Sequence, residues 1–328
     1  MMILFLSRLA SSVAVTTSNS FGLLTLANHC NFGHLGSPDT ECLISVEAKR
    51  RKRNIPDTSK SSIENSKVLE RVDVDIQGSF SIDSLDGSRM NIKAVDKASG
   101  YVKMQLIPNK MAVTTRNFIE KFKVRSERQT GMKLKVIATD SGTEFNGEFL
   151  SYLEHEGIIK RKGQGYDHHF PPLAENSHRI ISSMARAMLL KSKLPPKYYG
   201  EAMLTACYVL NRWTGSDCKK SRYEIFFKKI PKLSHIQPFG SICYSFVPPE
   251  KRSKIEATRE KCRLIGYGDD DDTEEMAGYK LIRESDGAVF FSNDVHFTKE
   301  KIVELPGWSV QSYNPDDSEI FEIWQIIS

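Results

Sequence analysis

Residues 136–145, VIATDSGTEF, and residues 171–179, PPLAENSHR, bound the stretch on which the reading of this chain turns. Asp140 follows KLKVIAT, an apolar run that predicts a strand delivering its last side chain to a sheet edge. Glu175 opens a segment with polar residues at 175, 179, 182 and 186, while Ile181, Met184, Ala185 and Met188 fall on the other side. That is the 3.6-residue period of an amphipathic helix. Glu175 lies thirty-five positions after Asp140, and Asp75, in KVLERVDVDIQGSF, lies sixty-five before it. Two Asp and one Glu that a fold brings together can hold two divalent cations for in-line phosphoryl transfer.

Working outward, Val72, Val74 and Ile76 alternate with Arg71, Asp73 and Asp75, the period of a half-buried strand, and Gly78 ends it. The alternation places Asp73 and Asp75 on one face, so both are candidates for the first carboxylate. MNIKAVD and YVKMQLI, separated by KASG, predict a hairpin. Thr114 or Thr115 is expected to cap a helix carrying Phe118, Ile119 and Phe122, closed by Gly131. After Asp140, GEFLSYLEHEG predicts a helix and IIKRK a short strand. Antiparallel strands followed by alternating helix and strand imply an α/β mixed sheet with flanking helices.

Several of these segments together resemble the catalytic core of Ty/copia-type retrotransposon integrases. The pieces are VDVDIQGSF, DGSRMNIKAVDKASGYVKMQL, KLKVIATDSGTEF and LAE, then LPPKYYGEAMLTACYVLNR, HIQPFGSICY, KCRLIGY and FSNDVHF. They occur in the family's order over roughly residues 66–300. The resemblance implies a ribonuclease-H-like domain over 66–215 and a small Src-homology-3-like β-barrel over 216–304, within a Pol polyprotein. It implies Asp75, Asp140 and Glu175 as catalytic residues and metal ligands for two Mg²⁺ or Mn²⁺, and it favours Asp75 over Asp73 through the match to DIQG. The implied reactions are 3′-end processing and strand transfer on DNA, with element ends and target DNA as partners. A homo-oligomer, in the nucleus or a cytoplasmic particle, and no membrane partner are implied as well.

The sequence also departs from that family. Where the family has a His-Asn-Gly-like run before the Glu and an Arg after it, this chain has Phe170-Pro171-Pro172-Leu173 and Asn176. The expectation is therefore an integrase of impaired activity. A catalytically inactive nucleic-acid-binding relic and a ribonuclease-H-like nuclease are the alternatives. Arg179, Arg186, Lys191 and Lys193, with Lys197, give five basic residues and no acid between 176 and 197. They are expected to neutralise phosphate along DNA.

Elsewhere the chain is less specific. It has 328 residues, a net charge of +5, 40% hydrophobic and 27% charged residues, enough for two domains and compatible with a phosphate-rich partner. Its six cysteines form no CxxC pair, which argues against a disulfide framework and fits a reducing compartment. Residues 1–27 are expected to be an irregular leader, because the apolar start is broken by Arg8 and too short to span a bilayer. Within 28–65, His29 and His34 resemble half of the integrases' zinc module, with Cys42 as a further candidate ligand and Asp39 where a second Cys is expected. A working or a decayed site both remain open there. Lys49 to Arg53 make a basic linker. Tyr267-Gly268-Asp269-Asp270 resembles the metal-binding turn of RNA-dependent polymerases, but no second palm motif accompanies it. Six acids in residues 269–275 predict a solvated loop, and 305–328 an acidic tail.

Overall fold

The computed structural model describes residues 67–162, 172–214, 220–269 and 276–298. The zinc candidates His29, His34 and Cys42, the basic linker, most of the acidic loop and the tail lie outside the described residues.

Strands β1 (Arg71–Gly78), β2 (Met90–Asp96) and β3 (Val102–Ile107) form an antiparallel meander. The β2–β3 turn is held by Asp96, whose carboxylate accepts from the backbone N–H groups of Leu69 and Ser99 and from the Ser99 hydroxyl. Helix α1 (Ala112–Thr130) follows, then β4 (Val136–Thr139), α2 (Glu148–His155) and β5 (Ile159–Lys162). The sheet order is β3-β2-β1-β4-β5, with β4 parallel to β1 and β5 parallel to β4. This is the mixed α/β sheet with flanking helices that the ribonuclease-H-like expectation requires. The N-terminus of α1 is organised differently from the expected threonine cap. Asn109 Oδ1 accepts from the Met111 N–H and from the Thr114 hydroxyl, so the cap lies upstream. Gly131 ends α1 as expected, left-handed at φ 69 and donating to Glu127 O.

Strand alternation separates two layers. Val72, Val74, Ile92 and Ala94 pack with Phe118, Ile119 and Phe122 of α1 and Phe149 and Leu153 of α2. The other face of the sheet meets α3 (Pro172–Ser192) and α4 (Tyr199–Arg212). As its period predicts, α3 buries Ile181, Met184, Ala185 and Met188. The short helix α5 (Arg222–Phe227) returns to the first layer, with Phe226 stacked on Tyr101 at 4.5 Å.

The remaining strands, β6 (Ile242–Phe246), β7 (Arg259–Asp269), β8 (Met276–Arg283), β9 (Val289–Ser292) and β10 (Val295–Phe297), make a second sheet. It is antiparallel throughout, in the order β10-β6-β7-β8-β9. Cys243, Cys262, Leu264 and Leu281 form its own small core. Ile265 and Ile282 point the other way and share a core with Ile236, Phe239, α3, α4 and the first sheet. Helix α4 is consequently buried nearly all round, the condition of a helix between two layers. The second sheet is also tied to the end of α3. Arg263, fully buried, donates from Nη1 to Ser192 O at 3.2 Å and from Nε to Glu284 at 2.8 Å. Gly240, at φ 81, lies so close to Ser192 that a Cβ there would sit 2.3 Å from the serine Cβ. Among the described residues no helix is long and apolar enough to cross a membrane.

Candidate active site

The parallel register of β1 and β4 pairs Val72 with Ile137 and Asp73 with Ala138. Continued two residues, it brings Asp75 level with Asp140, which stands just past the end of β4. Asp140 Oδ1 accepts from the Gly142 N–H at 3.0 Å, an interaction that holds the carboxylate at the start of its loop. Glu175 is the fourth residue of α3 and is exposed.

The two aspartates of β1 do face the same way, toward α3, but they are in different states. Asp73 is fully buried and accepts from Arg71 Nε at 2.9 Å and from the Leu173 backbone at the start of α3. Burial raises its carboxyl above the ordinary value, with the Arg71 charge opposing. It is a packing carboxylate that fastens α3 to the sheet. Asp75 is partly open and its Oδ2 lies 3.0 Å from His178 Nε2. Burial pushes its carboxyl up, yet the hydrogen bond from His178 and the nearby charges prevail and hold it below its ordinary value.

Two residues at this point were not singled out by sequence reasoning. Lys93 is the antiparallel partner of Asp75 on β2 and has no exposed side-chain surface. Its Nζ stands 4.0 Å from Asp75 Oδ2 and makes no hydrogen bond among the described residues. Burial pushes this amine down to about 6, against the pull of Asp75, Cys207 and Glu175. His178 lies one helical turn after Glu175. Burial lowers its imidazole, with the Asp75 hydrogen bond opposing, and Nε2–H donates to Asp75. The Glu175 charge also acts, as the smallest influence, on both Lys93 and His178. The available signal was the polar face of MNIKAVD, where Asn91 and Lys93 sit among apolar residues. The hairpin register then carries Lys93 to Asp75.

The donors thus gather around Asp75, but among the described residues no three of His, Cys, Asp and Glu form a ready metal cage. Along α3, Arg179 is exposed and donates to Asn176 Oδ1 at 3.0 Å. Arg186 and Lys191 are half-buried, and Lys193, beyond the helix end, is exposed. At the sheet edge beyond Asp140, β5 presents Lys160, Arg161 and Lys162; Lys160 is tied by a hydrogen bond to Phe145 O. Tyr267 of the polymerase-like tetrapeptide lies within β7, stacked on Tyr208 of α4 at 4.6 Å, with its hydroxyl donating to Gln237 O.

Comparison with known proteins agrees with this architecture in two steps. Residues 241–306 match the family described as the retroviral polymerase SH3-like domain, which defines the class of the second sheet. About three quarters of the chain is homologous to part of the retrovirus-related Pol polyproteins of plant transposons. It is 32% identical over 247 residues to the Pol polyprotein from transposon TNT 1-94 of Nicotiana tabacum, covering 74% of this chain and 18% of that protein. Its identity to the Pol polyprotein from transposon RE2 of Arabidopsis thaliana is 27% over 240 residues, covering 73% of this chain and 16% of that protein. The chain therefore spans less than a fifth of the length of these relatives. Among solved structures, the catalytic core domain of BIV integrase aligns with 49% of this chain and 95% of its own length, at 19% identity and a TM-score of 0.37.

Proposed function

We propose that this chain is the integrase segment of a Ty/copia-type Pol polyprotein, with DNA as its partner and strand transfer as its reaction. The observation that supports this reading is the parallel pairing of β1 and β4, whose register, if continued two residues past Asp73 and Ala138, sets Asp75 opposite Asp140, with Glu175 in the first turn of α3. Asp75 and Asp140 are the residues that would hold a divalent cation, with Glu175 the third carboxylate of the site. Such a cation, when bound, activates the attacking hydroxyl and stabilises the leaving oxygen. The chain's own contribution is to hold the carboxylates: Asp73 anchors the start of α3, His178 orients Asp75, and the Gly142 N–H orients Asp140. Arg179, Arg186, Lys191 and Lys193 supply the cationic face along which a phosphate backbone is drawn. A homo-oligomer that engages element ends and target DNA, in the nucleus or a cytoplasmic particle, completes the proposal.

The proposed activity is impaired. Residues 170–172, Phe-Pro-Pro, put bulk and stiffness ahead of Glu175, and Asn176 places no charge beside it. A second reading, a DNA-binding relic without catalysis, is favoured by the engagement of Asp75 with His178 and Lys93. Strand transfer with Mg²⁺ or Mn²⁺, compared between the unmodified chain and Asp140→Asn, separates them. Joined products lost in the variant establish the integrase reading, whereas DNA binding without joined products in either protein establishes the relic.

A further inference from the structure

Lys93 is held in place by its strand. β2 is hydrogen-bonded on both sides, with Lys93 opposite Asp75 of β1 and Met104 of β3. Ile92 and Ala94 are buried on the opposite face. The side chain, with no exposed surface, cannot reach solvent from this central position, and its Nζ ends 4.0 Å from Asp75 Oδ2. His178 takes the same carboxylate oxygen from above at 3.0 Å, and the charge of Glu175 acts on both residues. The Oδ2 side of Asp75, where a second cation on this carboxylate would sit, is therefore already furnished with a lysine nitrogen and an imidazole. The Asp75–Asp140 side is different: among the described residues no side chain is hydrogen-bonded to the Asp140 carboxylate, whose Oδ1 meets the Gly142 N–H.

We propose that Lys93 occupies the place of a second divalent cation, so that this site takes one divalent cation, at Asp75 and Asp140, and not two. The inference rests on the reading of Asp75, Asp140 and Glu175 as one carboxylate site. A protonated lysine repels a dication at close range. A neutral one offers nitrogen where Mg²⁺ and Mn²⁺ take oxygen. Glu175, whose charge acts on Lys93 and His178, then influences the cation only through them, as a positioning residue.

The test counts bound Mn²⁺ by electron paramagnetic resonance during titration of the purified full chain, without DNA. One Mn²⁺ per chain is expected for the unmodified protein and for Glu175→Gln, and two for Lys93→Ala. Circular dichroism and a cooperative melt establish that each variant is folded. Should Lys93→Ala fail to fold, the Glu175→Gln count decides, because a Glu175 that bridges a cation would lose it on amidation and one that holds none would not. Two Mn²⁺ in the unmodified chain, falling to one in Glu175→Gln, overturn the role of Lys93 and leave the carboxylate site standing. A folded Lys93→Ala that still binds one also overturns it. No Mn²⁺ in any of the three overturns both the lysine's role and the metal-binding reading beneath it.

Discussion

Replacing Arg263 by Met tests whether the second sheet braces the helix that carries Glu175 and His178. In the folded chain the guanidinium is fully buried, donating to Glu284 at 2.8 Å and to Ser192 O, the last residue of α3, at 3.2 Å. Breaking a buried ion pair from one side costs about 3–5 kcal/mol, because the abandoned charge stays behind. Glu284 is only partly buried and has Lys261 Nζ at 3.9 Å, which cushions its loss and favours the lower end, about 3 kcal/mol. The Ser192 carbonyl loses a donor in the same step. For a domain of this size about 1 kcal/mol moves the melting temperature by roughly 2–4 °C, so a drop of about 6–12 °C is expected. Thermal melting followed by far-ultraviolet circular dichroism measures the drop. Hydrogen exchange, followed by mass spectrometry, is expected to show weaker protection in the last turns of α3 as well as in β7. Arg263→Met combined with Glu284→Leu should recover part of the stability, because it removes the stranded charge. A melt shifted by less than about 1 °C, or faster exchange confined to β7, would refute the bracing of α3 by the second sheet.

Three further outcomes are expected. His235 Nε2 and Tyr208 Oη share a hydrogen bond of 2.7 Å, and burial, with the charges of Arg212 and Lys232, pushes the imidazole from 6.5 down to about 4. The fold thus favours the neutral ring, and the stability this provides is complete above pH 6.5 and disappears as pH falls through about 4. Urea midpoints measured at pH 7, 5 and 4 should fall, and His235→Gln should flatten the fall; an equal slope in both proteins would show that other groups cause it. Reversing the charges of Arg179 and Arg186 should weaken DNA binding at all sequences and reduce the salt slope by about 1 for each phosphate no longer neutralised, as read by fluorescence anisotropy; an unchanged slope would mean that these arginines are merely solvated. Changing residues 170–172 to His-Asn-Gly and Asn176 to Arg should raise strand transfer, since a misplacement of about 1 Å costs about a hundredfold in rate; equal rates before and after the change would remove the case for impairment.

Local periodicity already carried much of this molecule. The alternation of RVDVDIQG and the 3.6-residue period of 175–188 are properties of a single strand and a single helix, and both stand in the structure where the pattern put them. The same period left Asp73 and Asp75 equivalent, because alternation assigns a face and not an environment. Only the docking of α3 separates them: the Leu173 backbone and Arg71 enclose Asp73, while His178 reaches Asp75. Lys93 is a similar case, since its meaning depends on a hairpin register that sets it against a carboxylate eighteen residues earlier in the chain. Tyr267 illustrates the opposite hazard, in which a short motif suggested a metal-binding turn while its ring proved to be part of the packing between β7 and α4. What the sequence by itself determined was therefore which faces are apolar and which segments carry acids and bases, since those depend on neighbours a few residues apart. Which acid is buried, which is open, and that a lysine stands beside the open one were decided by tertiary structure, because burial and charge pairing arise only when distant strands and helices come together.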